Sequence, residues 1–421
     1  MSASRAKSGS TGDSPEPMRR SAPADLGAFR DIAPPGRVDL LYELSKQVKG
    51  RRLLHISASR IGGGAAEILH NLTPLLQELG LQVRWTVMEG SEDFYHAVRV
   101  FHDGLQGDDV KVTDSLLKTY LDCIRTNAAT LDFSADGVVT HDPHSLALID
   151  YAPTDSRWVW RCYLDLSRPQ RKVWNFLRPY VAKYDAAVFS LPQFAQPLPV
   201  PQFLIYPSID PLSDKNRDLM PEEMNPILDK LGIPRDKPML LQVSRFNRFK
   251  DPVGLIEAYR LIKLHHDCRL VLAGAIPPDD AEDLAVVDEV RQAAGKDDNI
   301  HILLLAPGSD LEINALQRSA TLVFLKSKRE GFGLSVAEAM WKGKPVIGGE
   351  TGGITLQIVY GQTGYTAKTV EGTAFYARYL LSNPSIAEEL GRRGRERVRQ
   401  NFLITRHVED YLSLMILMGR G

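Results

Sequence analysis

Short apolar runs alternate with helical patterns along most of this chain. Leu53-Leu54-His55-Ile56 reads as a strand and runs into a glycine cluster, Gly62-Gly63-Gly64. Ile68, Leu69, Leu72, Leu75, Leu76 and Leu79 then recur at helical spacing and stop at Gly80. Pro74 falls inside that pattern and is expected to kink the helix, because proline lacks the N–H that the turn needs. Further strands are predicted at residues 83–88, 137–140, 158–164, 186–189 and 203–206. A clearer second series follows at 239–243, 270–273, 302–305, 322–325 and 346–347. Strand–helix alternation with short loops predicts an α/β protein with parallel sheets covered by helices on both faces.

Residues 192–238 break the rhythm with ten prolines and many charges. That interruption predicts a boundary between two doubly wound domains facing one another across a cleft. The expected division is a disordered tail at 1–24, a first Rossmann-like domain at 25–212 and a second at 213–404. The tail is rich in Ser, Pro, Gly and mixed charge and lacks the apolar content that would offset ordering.

Composition narrows the function classes. Of 421 residues, 51 are Lys or Arg and 52 are Asp or Glu, so the formal net charge is −1. Such balance argues against nucleic acid or an anionic membrane as the main partner. Cys123, Cys162 and Cys268 lie far apart and form no C-x-x-C pair. Neither a disulfide framework nor a thiolate zinc site follows from them, and a reducing, cytoplasmic location is expected. No stretch of about 20 apolar residues predicts a membrane span, and the N-terminus shows no apolar signal region.

In sheets of this kind ligands bind beyond the carboxyl ends of the strands, so polar and glycine-rich strand ends are the candidates. Gly62-Gly63-Gly64 could be a tight turn or a place where an anion or sugar approaches the backbone. It is not a dinucleotide fingerprint, since Glu67 stands where a third glycine is needed. After the strand at 239–243 come Ser244, Arg245, Arg248 and Lys250, readable as a diphosphate clamp or as a solvated basic loop. Residues 328–340 carry Glu330, glycines at 331 and 333, and Glu338 on the early turns of a helix starting near Leu334. Two carboxylates bracket a helix N-terminus suited to phosphate. Gly352-Gly353 adds another glycine pair after a strand, and together these strand ends read as a nucleotide site. His141-Asp142-Pro143-His144 closes the strand at 137–140. A sugar-contacting histidine is preferred there to a metal ligand, because no further ligand set with suitable spacing supports a metal. D-x-D, G-x-S-x-G and H-E-x-x-H are all absent.

The segment Glu-Gly-Phe-Gly-Leu-Ser-Val-Ala-Glu at 330–338 resembles the E-x7-E motif of retaining glycosyltransferases with the GT-B fold, built from two Rossmann-like domains. Five longer stretches, at 62–69, 101–107, 160–162, 207–213 and 338–348, are similar to the trehalose glycosyltransferring synthase family. The resemblance implies a hexosyltransferase moving glucose from a nucleoside-diphosphate glucose, ADP- or UDP-linked, to glucose, forming or reversibly cleaving trehalose. The alternatives are the same donor chemistry with another small acceptor, or a non-catalytic nucleotide-sugar-binding regulator. It implies no prosthetic group and no D-x-D metal, and it leaves a homodimer open.

By matching position, Arg245 and Lys250 would hold the donor diphosphate and Glu338 the ribose hydroxyls. Glu330 would lie beside the transferred glucose, with the Gly333-Leu334 backbone near the phosphates and Ser244 also on the donor side. Gly63 and Gly64 would approach from the other domain, and His141 would contact the donor sugar. Glu330, His141, Arg245 and Lys250 form the implied catalytic set. Gly64, Arg161, Tyr163 and Asp165 would line the acceptor side. There the chain departs from the family's Arg-Cys-His pattern, carrying Arg161-Cys162-Tyr163. A C-terminal helix at 405–421 would cross back onto the first domain.

Overall fold

The computed structural model describes residues 25–60, 63–275 and 281–419. The tail at 1–24, Gly62 and the last two residues lie outside that description.

Two six-stranded, all-parallel sheets organise the molecule. The first contains β1 (Arg52–Ser57), β2 (Gln82–Val87), β3 (Gly137–His141), β4 (Arg157–Arg161), β5 (Ala186–Phe189) and β6 (Gln202–Leu204). The second contains β7 (Met239–Val243), β8 (Arg269–Ala275), β9 (Ile300–Leu305), β10 (Leu322–Leu325), β11 (Val346–Gly349) and β12 (Tyr365–Ala367). The spatial orders are β2-β1-β3-β4-β5-β6 and β12-β11-β10-β7-β8-β9. The second is the Rossmann order counted from β7.

The unbroken apolar runs of the sequence follow from sheets buried on both faces. Successive residues point to opposite sides. Val138 of β3 thus joins the core under the helices Glu92–Leu105 and Asp114–Thr130, and its neighbour Val139 joins the core on the other face. In β10, Leu322 and Phe324 enter one core while Val323 and Leu325 enter the other.

The helix Gly63–Glu78 runs through Pro74 without interruption and buries Ile68, Leu69, Leu72, Leu75 and Leu76. The strand expected at 158–164 ends at Arg161. Beyond it Cys162 and Leu164 stay buried, so the apolar run outlasts the ladder. Asp142 Oδ1 accepts from the Tyr163 N–H at 2.8 Å and turns the chain there. The short strand β12 has no counterpart in the sequence reading.

The chain crosses between the halves twice at one place. Ile209 N donates to Phe402 O at 2.9 Å, and Ile404 N donates to Ile209 O at 2.9 Å. From there the helix Ile404–Met418 returns to the first sheet and packs on the helices Arg37–Ser45 and Gly63–Glu78. Val408, Tyr411, Leu412 and Met415 enter the same core as Leu53 and Val139.

Candidate active site

Both sheets reverse strand order at one point: between β1 and β3 in the first, and between β7 and β10 in the second. At such a switch the loops diverge to opposite faces and leave a crevice at the carboxyl ends. The candidate residues leave their strands there.

In the second half, Lys250 follows β7 and Glu330 follows β10. Lys250 Nζ donates to Glu330 Oε2 at 2.5 Å, and Ser327 Oγ donates to the same oxygen at 3.1 Å. The Glu330 side chain is 9% exposed and that of Lys250 23%, so the pair sits in a poorly hydrated recess. Gly333 stands at φ +84° and starts the helix Leu334–Trp341. No side chain caps that end, so its backbone N–H groups remain to be satisfied. Gly352, at φ +43°, allows the chain to pass Glu330, because a Cβ there would lie 1.7 Å from the Glu330 carbonyl oxygen.

Arg245 donates through Nε and Nη2 to Asp283 Oδ2 at 3.0 and 2.7 Å. Asp283 is buried while Arg245 remains half exposed. Arg248 pairs with Glu289 on the surface. Ser244 accepts from Gln242 Nε2 at 3.3 Å. Glu338 is buried on the first turns of its helix and accepts from Gln317 Nε2 at 2.9 Å.

The first half meets this site through its own strand ends. A Cβ on Gly64 would lie 3.2 Å from Leu334 Cδ1, so the glycine turn sits directly against the helix start. Gly331 lies against Tyr163, where a Cβ would come within 2.3 Å of the Tyr163 carbonyl oxygen. Arg329 Nη1 donates across the boundary to Gln106 O.

His141 ends β3 fully buried. Its Nε2 is 3.0 Å from His55 Nδ1, its ring stacks on Tyr163 at 5.8 Å, and its Nδ1 has no partner. Burial holds His141 well below the ordinary histidine value, helped by His55 and Arg161, and it holds His55 down at about 3. Both rings are therefore neutral near pH 7.

Arg161 is fully buried and donates to Ile205 O at 2.7 Å, Cys162 O at 3.2 Å and Ser190 Oγ at 3.3 Å. Its guanidinium lies 4.1 Å from the Tyr163 ring centroid. Arg161 is thus placed behind Tyr163, with most of its donors engaged inside the protein. Asp165 is buried and accepts from Ser167 N at 2.9 Å.

The structure therefore brings Gly64, Lys250, Glu330, Gly333, Leu334 and Glu338 into one region, with Tyr163 and His141 on the facing side. Sequence reading did not single out Lys215, Asp283, His55 or Arg329. Lys215 and Arg329 are cations between mixed charges, and their partners are distant in sequence. A groove of about 590 Å³ lined by Glu350, Tyr360, Thr366, Lys368 and Tyr376 continues the row of strand ends past β11 and β12. Among the described residues, no group of three or more His, Cys, Asp or Glu side chains is gathered for a metal ion, and no helix is long and apolar enough to cross a membrane.

The close approach at Gly331 gives a sharp expectation. Gly331→Ala should leave the second half folded, because the obstructing atom belongs to the first half. It should hold the halves apart and lower turnover about 10²-fold through misplacement of the reacting groups. Steady-state kinetics with circular dichroism checks this; wild-type kinetics would show that the closed arrangement is not the working one.

Residues 55–196 match the family model for the trehalose synthase N-terminal domain, and residues 224–397 match group 1 glycosyl transferases. A trehalose synthase of Pyrococcus horikoshii is 40% identical over 400 residues, covering 94% of this chain and 96% of that protein. A trehalose synthase of Rubrobacter xylanophilus is 40% identical over 399 residues, covering 92% and 96%. Among solved structures, a trehalose-phosphate synthase from Burkholderia xenovorans in complex with glucose-6-phosphate superposes with a TM-score of 0.69. It is 13% identical and covers 86% of this chain and 99% of that one, a likeness of fold. With two Rossmann-like halves facing at their strand ends and these relatives over nearly its whole length, the chain belongs to the trehalose synthase family of GT-B glycosyltransferases.

Proposed function

We propose that the protein transfers glucose from a nucleoside-diphosphate glucose, ADP- or UDP-linked, to free glucose, with retention at the anomeric carbon, to form trehalose. The observation that carries this reading is the Lys250–Glu330 pair at the β7/β10 switch point, beside the uncapped helix start at Gly333-Leu334. In this reading residues 213–404 bind the donor. Residues 25–212, with the C-terminal helix at 405–421 crossing back, bind the acceptor. The working compartment is the cytoplasm, and a homodimer is compatible with the fold.

Cleaving the bond between glucose and diphosphate builds negative charge on the leaving group and positive charge at the anomeric carbon. The helix N-terminus and Lys250 face the first, and Glu330 faces the second. Arg245 already has Asp283 as a partner, so its part in holding the diphosphate is an exchange of partners rather than capture by a bare cation. Glu338 accepts from the ribose hydroxyls, and Ser244 adds a hydroxyl at the end of β7. Gly63 and Gly64 close over the donor, and in this reading neutral His141, whose buried Nδ1 has no protein partner, contacts the donor sugar. Tyr163 and Asp165 lie on the acceptor side, and Arg161 supports Tyr163 from behind. A regulator that only binds nucleotide sugar would not need Arg245, Lys250, Glu330 and Glu338 together.

Incubation with ADP-, UDP- or GDP-glucose plus glucose or another acceptor, with products identified by NMR, tests this. An α,α-1,1 disaccharide is the expected product. Turnover only with a different acceptor, or binding without turnover, overturns the acceptor assignment or the enzymatic reading respectively.

A further inference from the structure

Lys215 lies on the loop that follows the crossing point at Ile209, and three carboxylates from different parts of the chain converge on it. Its Nζ lies 2.6 Å from Glu67 Oε2, 3.6 Å from Asp310 Oδ1 and 3.8 Å from Glu338 Oε1. The Lys215 side chain is only 12% exposed, and those of Glu67 and Glu338 are 14% and 4%. The loop itself is fixed to the second half. Asn314 Nδ2 donates to Asp214 O and Arg217 O at 2.8 Å each, and Arg318 Nη2 donates to Asn216 O at 3.1 Å. Glu67 stands on the first turns of the helix that begins at Gly63, in the first half. The Lys215–Glu67 pair therefore joins the two halves one helical turn from the place where Gly64 meets Leu334.

Glu338 uses Oε2 to accept from Gln317, and its Oε1 faces Lys215 beyond hydrogen-bond range. Burial raises the carboxyls of Glu67 and Asp310 above their ordinary values, against the opposing pull of Lys215. Without that cation, three buried carboxylates would face one another at the closed boundary, each resisting ionisation.

We propose that Lys215 is a positioning residue for donor binding: it keeps Glu338 available as an acceptor for the ribose and, through Glu67, holds the Gly63-Gly64 turn over the phosphate-binding helix start. This inference rests on the reading that Glu338 takes the ribose of the donor. Lys215 lies 3.8 Å from Glu338 Oε1 and forms no hydrogen bond to it, which leaves that oxygen as the acceptor for a ribose hydroxyl. Nucleotide binding is thereby coupled to closure of the two halves.

Calorimetric titration with UDP and ADP, which needs no acceptor, separates this proposal from its premise. Glu338→Gln is expected to weaken nucleotide binding at least tenfold; an unchanged affinity removes the ribose reading and the proposal with it. Lys215→Met and Glu67→Gln are each expected to weaken binding about tenfold, with the double variant no worse than either alone. Lys215→Arg should recover most of the affinity. With donor glucose supplied, KM for the donor should rise more than kcat falls. If Glu338→Gln weakens binding while Lys215→Met and Glu67→Gln leave it within twofold, the proposal is overturned and the ribose reading stands. Melting temperatures separate loss of coupling from loss of fold, and the isosteric Glu67→Gln keeps the test open should Lys215→Met fold poorly.

Discussion

Replacing Lys250 with methionine is expected to lower turnover about 10²- to 10³-fold, the loss typical when one preorganised charge-stabilising donor is removed. The same change should destabilise the second half, because Glu330 would keep its buried site and lose its cation. Fully buried pairs cost about 3–5 kcal/mol when one partner is removed; Lys250 is partly hydrated, so about 1–3 kcal/mol is expected here. The two effects can be separated. The double variant Lys250→Met, Glu330→Gln removes the orphaned charge and should recover much of the stability, yet it should remain as inactive as the single variant or worse. Urea unfolding and initial rates on the four proteins of the cycle provide the check. Stability and turnover recovering together would show that Lys250 serves only to neutralise Glu330.

Arg245→Ala offers a contrast within the same loop. Arg245 is half exposed and bound to Asp283, so its removal takes one cation away from a buried carboxylate. Its effect on turnover therefore measures the partner exchange with the diphosphate, whereas Lys250 lies at the helix start already.

What could be read from the sequence depended on how local the signal was. Strands such as Met239–Val243 and Leu322–Leu325 are fully buried on both faces, so their apolar runs marked them clearly. The three-residue edge strand Tyr365–Ala367 buries only Ala367 and shows no such run. The glycines at 331, 333 and 352 gave the site away: backbone passes too close to 331 and 352 for a side chain, and 333 takes a positive φ beside the Leu325 and Glu330 side chains. Lys215 carried no equivalent mark. Its partner Glu67 is 148 residues away, and pairs of that kind exist only once both halves are assembled. Arg161 illustrates the reverse case. Its family pattern directed attention to the acceptor, while its side chain is held by Ile205 and Ser190 inside the fold.

The interior behind that site should also make the protein sensitive to acid. His141, His55, Tyr411 and His407 form a chain of ring contacts, with centroids 5.2, 5.7 and 5.2 Å apart. All three histidines are fully buried, and burial lowers each below the ordinary value; Arg406 and Arg161 push His407 further the same way. Above about pH 6.5 these rings are neutral in the folded and unfolded chain alike and contribute no pH dependence. Below it the unfolded chain takes up protons that the folded chain refuses, so stability falls as pH falls. Each histidine adds a slope of about 1.4 kcal/mol per pH unit, and three add roughly 4. Glu67, Asp142, Asp310 and Asp410 have raised values and act in the opposite sense between those raised values and the ordinary carboxylate range, so they offset part of the histidine slope. A marginal stability of about 5–15 kcal/mol should therefore erode steeply between pH 6.5 and 5. Trp85, Trp158, Trp160 and Trp174 lie in the half that holds these histidines, against Trp341 alone in the other, so fluorescence follows the relevant unfolding. In urea titrations across that range, His407→Phe should reduce the slope by about one proton whatever it does to stability itself. An unchanged slope would mean that His407 accepts a proton within the folded core, and that the ring chain is hydrated rather than dry.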